Sequence, residues 1–263
     1  MKISFLLALI CFLLSQIGAT YPGRINSFTI QALSRLAGIF PFSVFEFLIY
    51  ATALFYVFLL IHALVALFVP GPKKWQLLGA DLKRGLFVAF SLYSAFILLW
   101  GLNYNNPPLH QRLGLKREAH SAYELATLGH HLVQLTNEAR KGVLENAEGN
   151  FALKEDYQNI FNRSLPGFLQ AGEEFPFLGG ENYGRVKPIL ASRLLTYTFI
   201  TGIYSPFTGE PNVNTFTPPA QMIFTTMHEI AHQRGVARED EANFIAFLTS
   251  IRHPDPIFSM PAI

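Results

Sequence analysis

Three apolar runs dominate the first hundred residues, and each is read as a membrane-spanning helix. They cover residues 3–19, behind Lys2, then residues 44–69 and residues 85–102. A helix needs about 20 apolar residues to cross roughly 30 Å of hydrocarbon, so the second run is the clearest span. The first competes with a signal peptide, but Gln16, Ile17, Gly18 and Ala19 make a poor small-x-small cleavage site, and a retained span is expected. Residues 21–41 are weakly amphipathic and suit the membrane surface. Glu46, at the head of the second run, is expected at the interface, and Tyr93 and Trp100 are expected as interfacial anchors of the third.

Beyond Leu102 the pattern becomes that of a water-facing domain. Residues 103–108 form a polar break with two prolines. Ser121-Ala122-Tyr123-Glu124 is a capping box, and the helix it opens runs to Lys141 with Leu125, Leu128, Leu132 and Leu135 on one face. His130 and His131 on that helix point about 100° apart and are read as solvent-facing. Residues 142–150 are a polar linker, 156–164 a short helix and 172–184 a turn-rich stretch. Residues 187–199 read as a buried helix or one merging into strand, and 200–217 as a short extended piece with turns. Thr217 is placed to cap a further helix with Pro218 at its first position, and Ile223, Met227, Ile230 and Ala231 recur at helical spacing. Gly235 ends that helix, and Arg238–Phe244 opens another. The fold class is therefore mainly α, with little strand.

Composition agrees with the pattern. Of 263 residues, 51% are hydrophobic and only 14% charged, which excludes an ordinary soluble chain. Lys73, Lys74, Lys83 and Arg84 cluster between the second and third runs, which marks that side as cytoplasmic. Lys2 then also lies inside, Arg24 and Arg35 dissent outside, and everything after Leu102 is external. The division expected is a membrane region over 1–102 and an extracytoplasmic domain over 103–263. The formal charge of +2 then follows from topology and gives no argument for nucleic acid. Membrane lipid is the partner expected. The single cysteine, Cys11, excludes an intrachain disulfide.

The candidate chemistry lies at His228-Glu229-Ile230-Ala231-His232. Residues i and i+4 share a helix face, so both imidazoles can reach one Zn²⁺ ion. Glu229, beside the first imidazole, is placed to take a proton from an activated water. A third ligand is sought in Glu239, Asp240 and Glu241, which by default are helix-dipole carboxylates in a first turn. Glu239 is preferred because Asn243 stands one turn on, where an amide can support the ligands. Glu241, rotated about 200° from Glu239, is the alternative.

Glu239-x-x-Ala242-Asn243 resembles the second-helix motif of gluzincin metallopeptidases, in which the glutamate binds metal. The metzincin pattern is matched only in part, since Arg238 stands where its third histidine would be. The resemblance extends further, through Gly184-Arg185-Val186-Lys187, Gly202-Ile203-Tyr204-Ser205-Pro206-Phe207-Thr208-Gly209-Glu210 and Asn212-Val213-Asn214. With Pro41-Phe42-Ser43 and Leu102-Asn103-Tyr104, these resemble the bacterial membrane family DUF3810, which looks like an uncharacterised zinc-peptidase type. The resemblance implies a zincin-like external domain on a bacterial cytoplasmic membrane, acting on a peptide or protein substrate. It also implies further apolar helices after the second, whereas this chain stops at Ile263, so a truncated or diverged C-terminus is expected.

The reading is a membrane-anchored zinc metallopeptidase with Glu229 as general base and His228, His232 and Glu239 on the metal. Tyr204 and Tyr183 are candidate proton donors or oxyanion stabilisers, with no choice between them. The alternative is a non-catalytic, zinc-stabilised integral membrane protein. An intramembrane protease fits poorly, because Gln233, Arg234, Arg238 and Glu239 follow the histidines closely. A transporter fits poorly because no inverted repeat is present.

Overall fold

The structure is a computed structural model that describes residues 1–21 and 25–262; Arg24, expected on the outer side, and Ile263 lie outside the described residues. The chain is mainly helical. Helices α1 (Lys2–Gln16), α2 (Ile25–Gly38), α3 (Val44–Ala66) and α4 (Lys73–Leu99) come first. A tight turn over Gly101–Asn105 leads to α5 (Leu109–Arg112), α6 (Ala122–Arg140), α7 (Tyr157–Arg163) and α8 (Leu165–Glu174). Strand β1 (Lys187–Pro188), α9 (Ser192–Leu195), β2 (Gly202–Ser205) and β3 (Glu210–Val213) follow. Helices α10 (Pro219–Gln233), α11 (Glu239–Ile251) and α12 (Pro256–Ser259) close the described chain.

Two of these helices, α3 and α4, are long and apolar enough to cross a membrane, where three spans were expected. The first run forms α1, whose 15 residues reach only about 22 Å. It ends where Gly18 turns the chain at φ 71°. Its buried face of Ser4, Ala8 and Cys11 packs along α4, with Phe5 edge-on to Phe90 at 5.4 Å. The third run begins earlier than expected, at Lys73, so Lys73, Lys74, Lys83 and Arg84 all lie on α4 itself. Within it the buried Asp81 pairs with His62 of α3 at 2.5 Å and with Arg84 at 2.9 Å.

The remaining elements pack around α10 and α11. Ile223 and Met227 of α10, Ile245 of α11, Phe168 of α8 and Phe258 of α12 are wholly buried in one core. Glycine lets α8 approach: a Cβ at Gly167 would stand 2.2 Å from the carbonyl oxygen of Thr249. The sheet has the order β1-β3-β2, with β1 parallel and β2 antiparallel to the buried central β3. Residues 187–199 are thus neither one buried helix nor a helix merging into strand. Pro188 cannot donate and disfavours helix at Lys187, so the segment gives a two-residue strand followed by the four-residue α9 and a further short turn, both largely exposed. On α6 the Ser121 capping box forms, yet the helix buries no residue, and its leucine face is open with His130 and His131 exposed.

Buried polar side chains fix the head of α3 to this domain. Glu210 accepts from the amides of Val44 and Phe45 at 3.2 and 2.9 Å, satisfying donors that a helix start leaves free. Glu46 is buried against the domain, and accepts from the amides of Leu190 (2.7 Å) and Ala191 (2.8 Å) and from the Tyr50 hydroxyl. The fully buried Lys187 donates to the carbonyls of Ala37 and Phe40. At the other end of the pair, Trp100, directly after α4, packs on Tyr204 at 4.7 Å. Helices α3 and α4 therefore form a hairpin whose open end holds the domain and whose turn, at Lys73, is remote from it. Glu46→Ala would leave two part-buried amides without their acceptor, at about 1 kcal/mol each. The thermal midpoint in a fixed detergent should fall by several degrees, with Glu46→Gln retaining part of the loss. An unchanged midpoint for Glu46→Ala would contradict the anchoring role.

Candidate metal centre

Helix α10 starts one residue later than expected, with Pro219 rather than Pro218 at the first position. Thr217 does not cap it, because its hydroxyl donates to the carbonyl of Asn214 instead. Met222, Ile223, Met227, Ile230 and Ala231 face the core, which turns His228 and His232 toward a cavity of about 580 Å³. The ring centroids of the two histidines stand 4.7 Å apart with planes at 85°.

The end of α10 orients the second imidazole. Gly235, at φ 84°, lets its own amide reach the carbonyl of His232 and the Val236 amide reach that of Ala231, which is a Schellman closure. The chain reversal brings the Val236 carbonyl to His232 Nδ1 at 2.7 Å. A carbonyl only accepts, so Nδ1 carries the hydrogen and Nε2 presents its lone pair. His228 is held likewise, its Nδ1 2.8 Å from Asn243 Oδ1 on α11. Glu239, in the first turn of α11, completes the group. Its carboxylate oxygens lie 3.1 Å from His228 Nε2 and 3.5 Å from His232 Nε2.

One donor atom from each of His228, His232 and Glu239 can be chosen so that all three lie within 4.8 Å of one another. Tetrahedral donors at about 2.1 Å from zinc stand roughly 3.4 Å apart, and the two imidazole–carboxylate separations, one to each oxygen of Glu239, are of that order. The electrostatics shift the two imidazoles in opposite directions. Burial, then the neighbouring His232, holds His228 below its ordinary pKa. Burial opposes protonation of His232 too, but Glu239 and Glu229 outweigh it and raise the group. The hydrogen bond with His232 is the main cause of a lowered Glu239.

Glu229 is buried on the cavity wall, and its Oε2 has no hydrogen-bond partner among the described residues. Burial pushes its carboxyl up to about 8, against the pull of His232 and with the push of Glu239. Strand β2 passes directly over it. A Cβ at Gly202 would fall 2.4 Å from Glu229 Oε1 and 2.6 Å from Thr225 Cγ2, so only glycine fits without displacement. The sequence reading had not singled out Gly202, although an isolated glycine in a strand is the usual mark of close approach.

Other candidates separate. Glu241 is not brought to the histidines: it accepts from the Leu109 amide at 2.8 Å and pairs with Arg238 at 3.1 Å. Tyr204 lies on the cavity wall, its hydroxyl unpartnered among the described residues. Tyr183 lies elsewhere, stacked on the Arg234 guanidinium at 3.6 Å. Trp100, expected as a lipid anchor, is buried and meets His232 edge-on at 5.9 Å.

No curated protein and no solved structure matches the chain. A family model described as "Protein of unknown function (DUF3810)" matches residues 21–262, which takes in α2 to α12 and so both helices that carry the site. With a match over nearly its whole length, the chain belongs to the DUF3810 family.

Proposed function

We propose that the chain is a membrane-anchored, zinc-dependent peptidase. The observation that carries this reading is the convergence of three side chains, each offering one metal-donor atom, on one point of the cavity wall. Both Nδ1 hydrogens are committed to Val236 and Asn243, so both Nε2 atoms and the Glu239 carboxylate face a common point. Such a cluster calls for a cation, and two imidazoles with one carboxylate suit zinc. His228, His232 and Glu239 would hold the ion, with Asn243 and the Val236 carbonyl orienting the rings. Bound there, zinc would supply an acidified water and a polarised substrate carbonyl.

Glu229 takes the proton of the attacking water and returns it to the leaving amine. Its free Oε2 and its enclosure under Gly202 suit a group that must accept and release one proton. Strand β2 is an edge of the sheet, and Gly202, Ile203 and Tyr204 line the cavity. An extended substrate backbone would add to that edge, as peptides do on open strands. A purely structural zinc site would close around the ion with four protein donors. Here three converge and the Glu239 side chain is 75% exposed, which supports the open, catalytic reading. The test is hydrolysis of a peptide library by the zinc-loaded chain in lipid nanodiscs, with Glu229→Gln as the control; equal hydrolysis by the two would contradict it.

In the proposed topology α3 and α4 cross the membrane, the Lys73 turn is cytoplasmic, and the zinc domain lies outside. The cations of α4 and the hairpin geometry support this arrangement. In a Cys11→Ser background, Asn146→Cys should react with a membrane-impermeant thiol reagent in intact cells and Gln76→Cys should not. The opposite labelling would invert the topology.

A further inference from the structure

Between β1 and β2 the chain exposes large apolar side chains. Leu190, Leu194, Tyr197 and Phe199 all face outward, and Phe199 is 92% exposed. Phe199 is also the one non-glycine residue at positive φ among the described residues, at 59°. That conformation is unfavourable for a residue with a Cβ, and burial inside the chain does not offset it.

Two contacts locate this segment. The amides of Leu190 and Ala191 donate to Glu46, in the first turn of α3. Phe199 and Ile200 line the same cavity as Trp100, which directly follows α4, and Tyr104 in the turn beyond it. The segment therefore lies level with the ends at which α3 and α4 enter the domain. At 23 residues α3 is about 34 Å long, close to a bilayer's hydrocarbon thickness, so its first turn falls at an interface. Exposed aromatic and leucine side chains with an exposed cation, Arg193, are the composition that headgroups and upper acyl chains accept. Helix α3 exposes large apolar side chains too, among them Phe47, Leu48, Leu54 and Phe58.

We infer that residues 190–200 are seated in the headgroup and upper acyl region of the bilayer, so that the cavity lined by Phe199 and Ile200 opens at the lipid surface. This rests on the proposal that α3 and α4 span a membrane. A substrate entering from that side is one held at the same membrane, either by an anchor of its own or by lipid contact.

The experiment uses the full chain in lipid nanodiscs, with Cys11→Ser and one nitroxide-labelled cysteine at a time. Leu194→Cys and Phe199→Cys report on the segment, Val57→Cys on the middle of α3, and His130→Cys on the water-facing domain. Collision with oxygen against collision with a water-soluble nickel chelate is measured at each site. The oxygen-to-nickel ratio at 194 and 199 should stand severalfold above that at 130 and approach that at 57. A water-like ratio at 194 and 199 with a lipid-like ratio at 57 overturns the inference and leaves the spans intact. A water-like ratio at 57 as well overturns both.

Discussion

Glu229→Gln is expected to keep zinc and lose hydrolysis, whereas His228→Ala and His232→Ala are expected to lose the zinc itself. The distinction follows from where the side chains sit. The two Nε2 atoms converge with the Glu239 carboxylate, and deleting either imidazole leaves only two protein donors. Glu229 contributes no atom to that group and is buried beside it under Gly202. Its amide isostere preserves the packing and removes only the proton acceptor. General-base loss of this kind typically lowers a rate by about 10²–10⁴-fold. Elemental analysis of the purified variants, with peptide hydrolysis followed on the same samples, reads both effects. Zinc at full occupancy in His228→Ala would rule out the ligand assignment, and unimpaired hydrolysis by Glu229→Gln would rule out the base.

The second large effect is expected between two neighbouring carboxylates. Glu239→Gln should weaken zinc binding more than tenfold, about 1.4 kcal/mol or beyond, because a charged donor is removed from the ion. Glu241→Gln should leave the affinity almost unchanged. Glu241 is occupied in a different task, holding the Leu109 amide and Arg238, which in turn donates to the carbonyls of Tyr104 and Asn106. A glutamine oxygen can still accept from Leu109, so the expected cost is the ion pair alone, about 0–1 kcal/mol of stability. Zinc affinities of the two variants in one detergent decide the matter. Loss in Glu241→Gln without loss in Glu239→Gln would shift the third ligand and leave the two histidines in place.

Local chemistry made much of the site legible in the sequence. The i,i+4 histidines, Gly235 at the helix end and Glu239 with Asn243 one turn apart are relations within a few residues, and helix geometry converts them directly into positions. The contact of Glu239 with both imidazoles needs only that the two helices reverse through Gly235, as they do. Gly202 carried a general mark of close approach but not its partner, and Trp100 and the Val236 carbonyl were not legible, because they reach the site through a tertiary contact and a backbone atom.

Hydropathy misled in a consistent way. It placed the third apolar run at residue 85, but amphipathic turns bearing Lys73, Lys74 and Lys83 extend that helix backward. It made a span of the first run, which Gly18 cuts short. It gave Glu46 and Trp100 exposed roles at the span ends, whereas both are buried against the domain. Helix α8 has no counterpart in the sequence reading, which assigns no element to residues 165–171 and places Gly172 in a turn-rich stretch; its glycines include Gly167 and Gly172. In the fold they are the small residues that admit Thr249 and Gly179 at close range.

Zinc-edge X-ray absorption on the purified, zinc-loaded chain tests the central claim most directly. The account predicts one zinc per chain, a nitrogen and oxygen shell at about 2.0–2.1 Å, and outer-shell scattering from two imidazoles that disappears in His228→Ala and His232→Ala. A chain that takes up no stoichiometric zinc, or whose zinc shows no imidazole scattering, would contradict it.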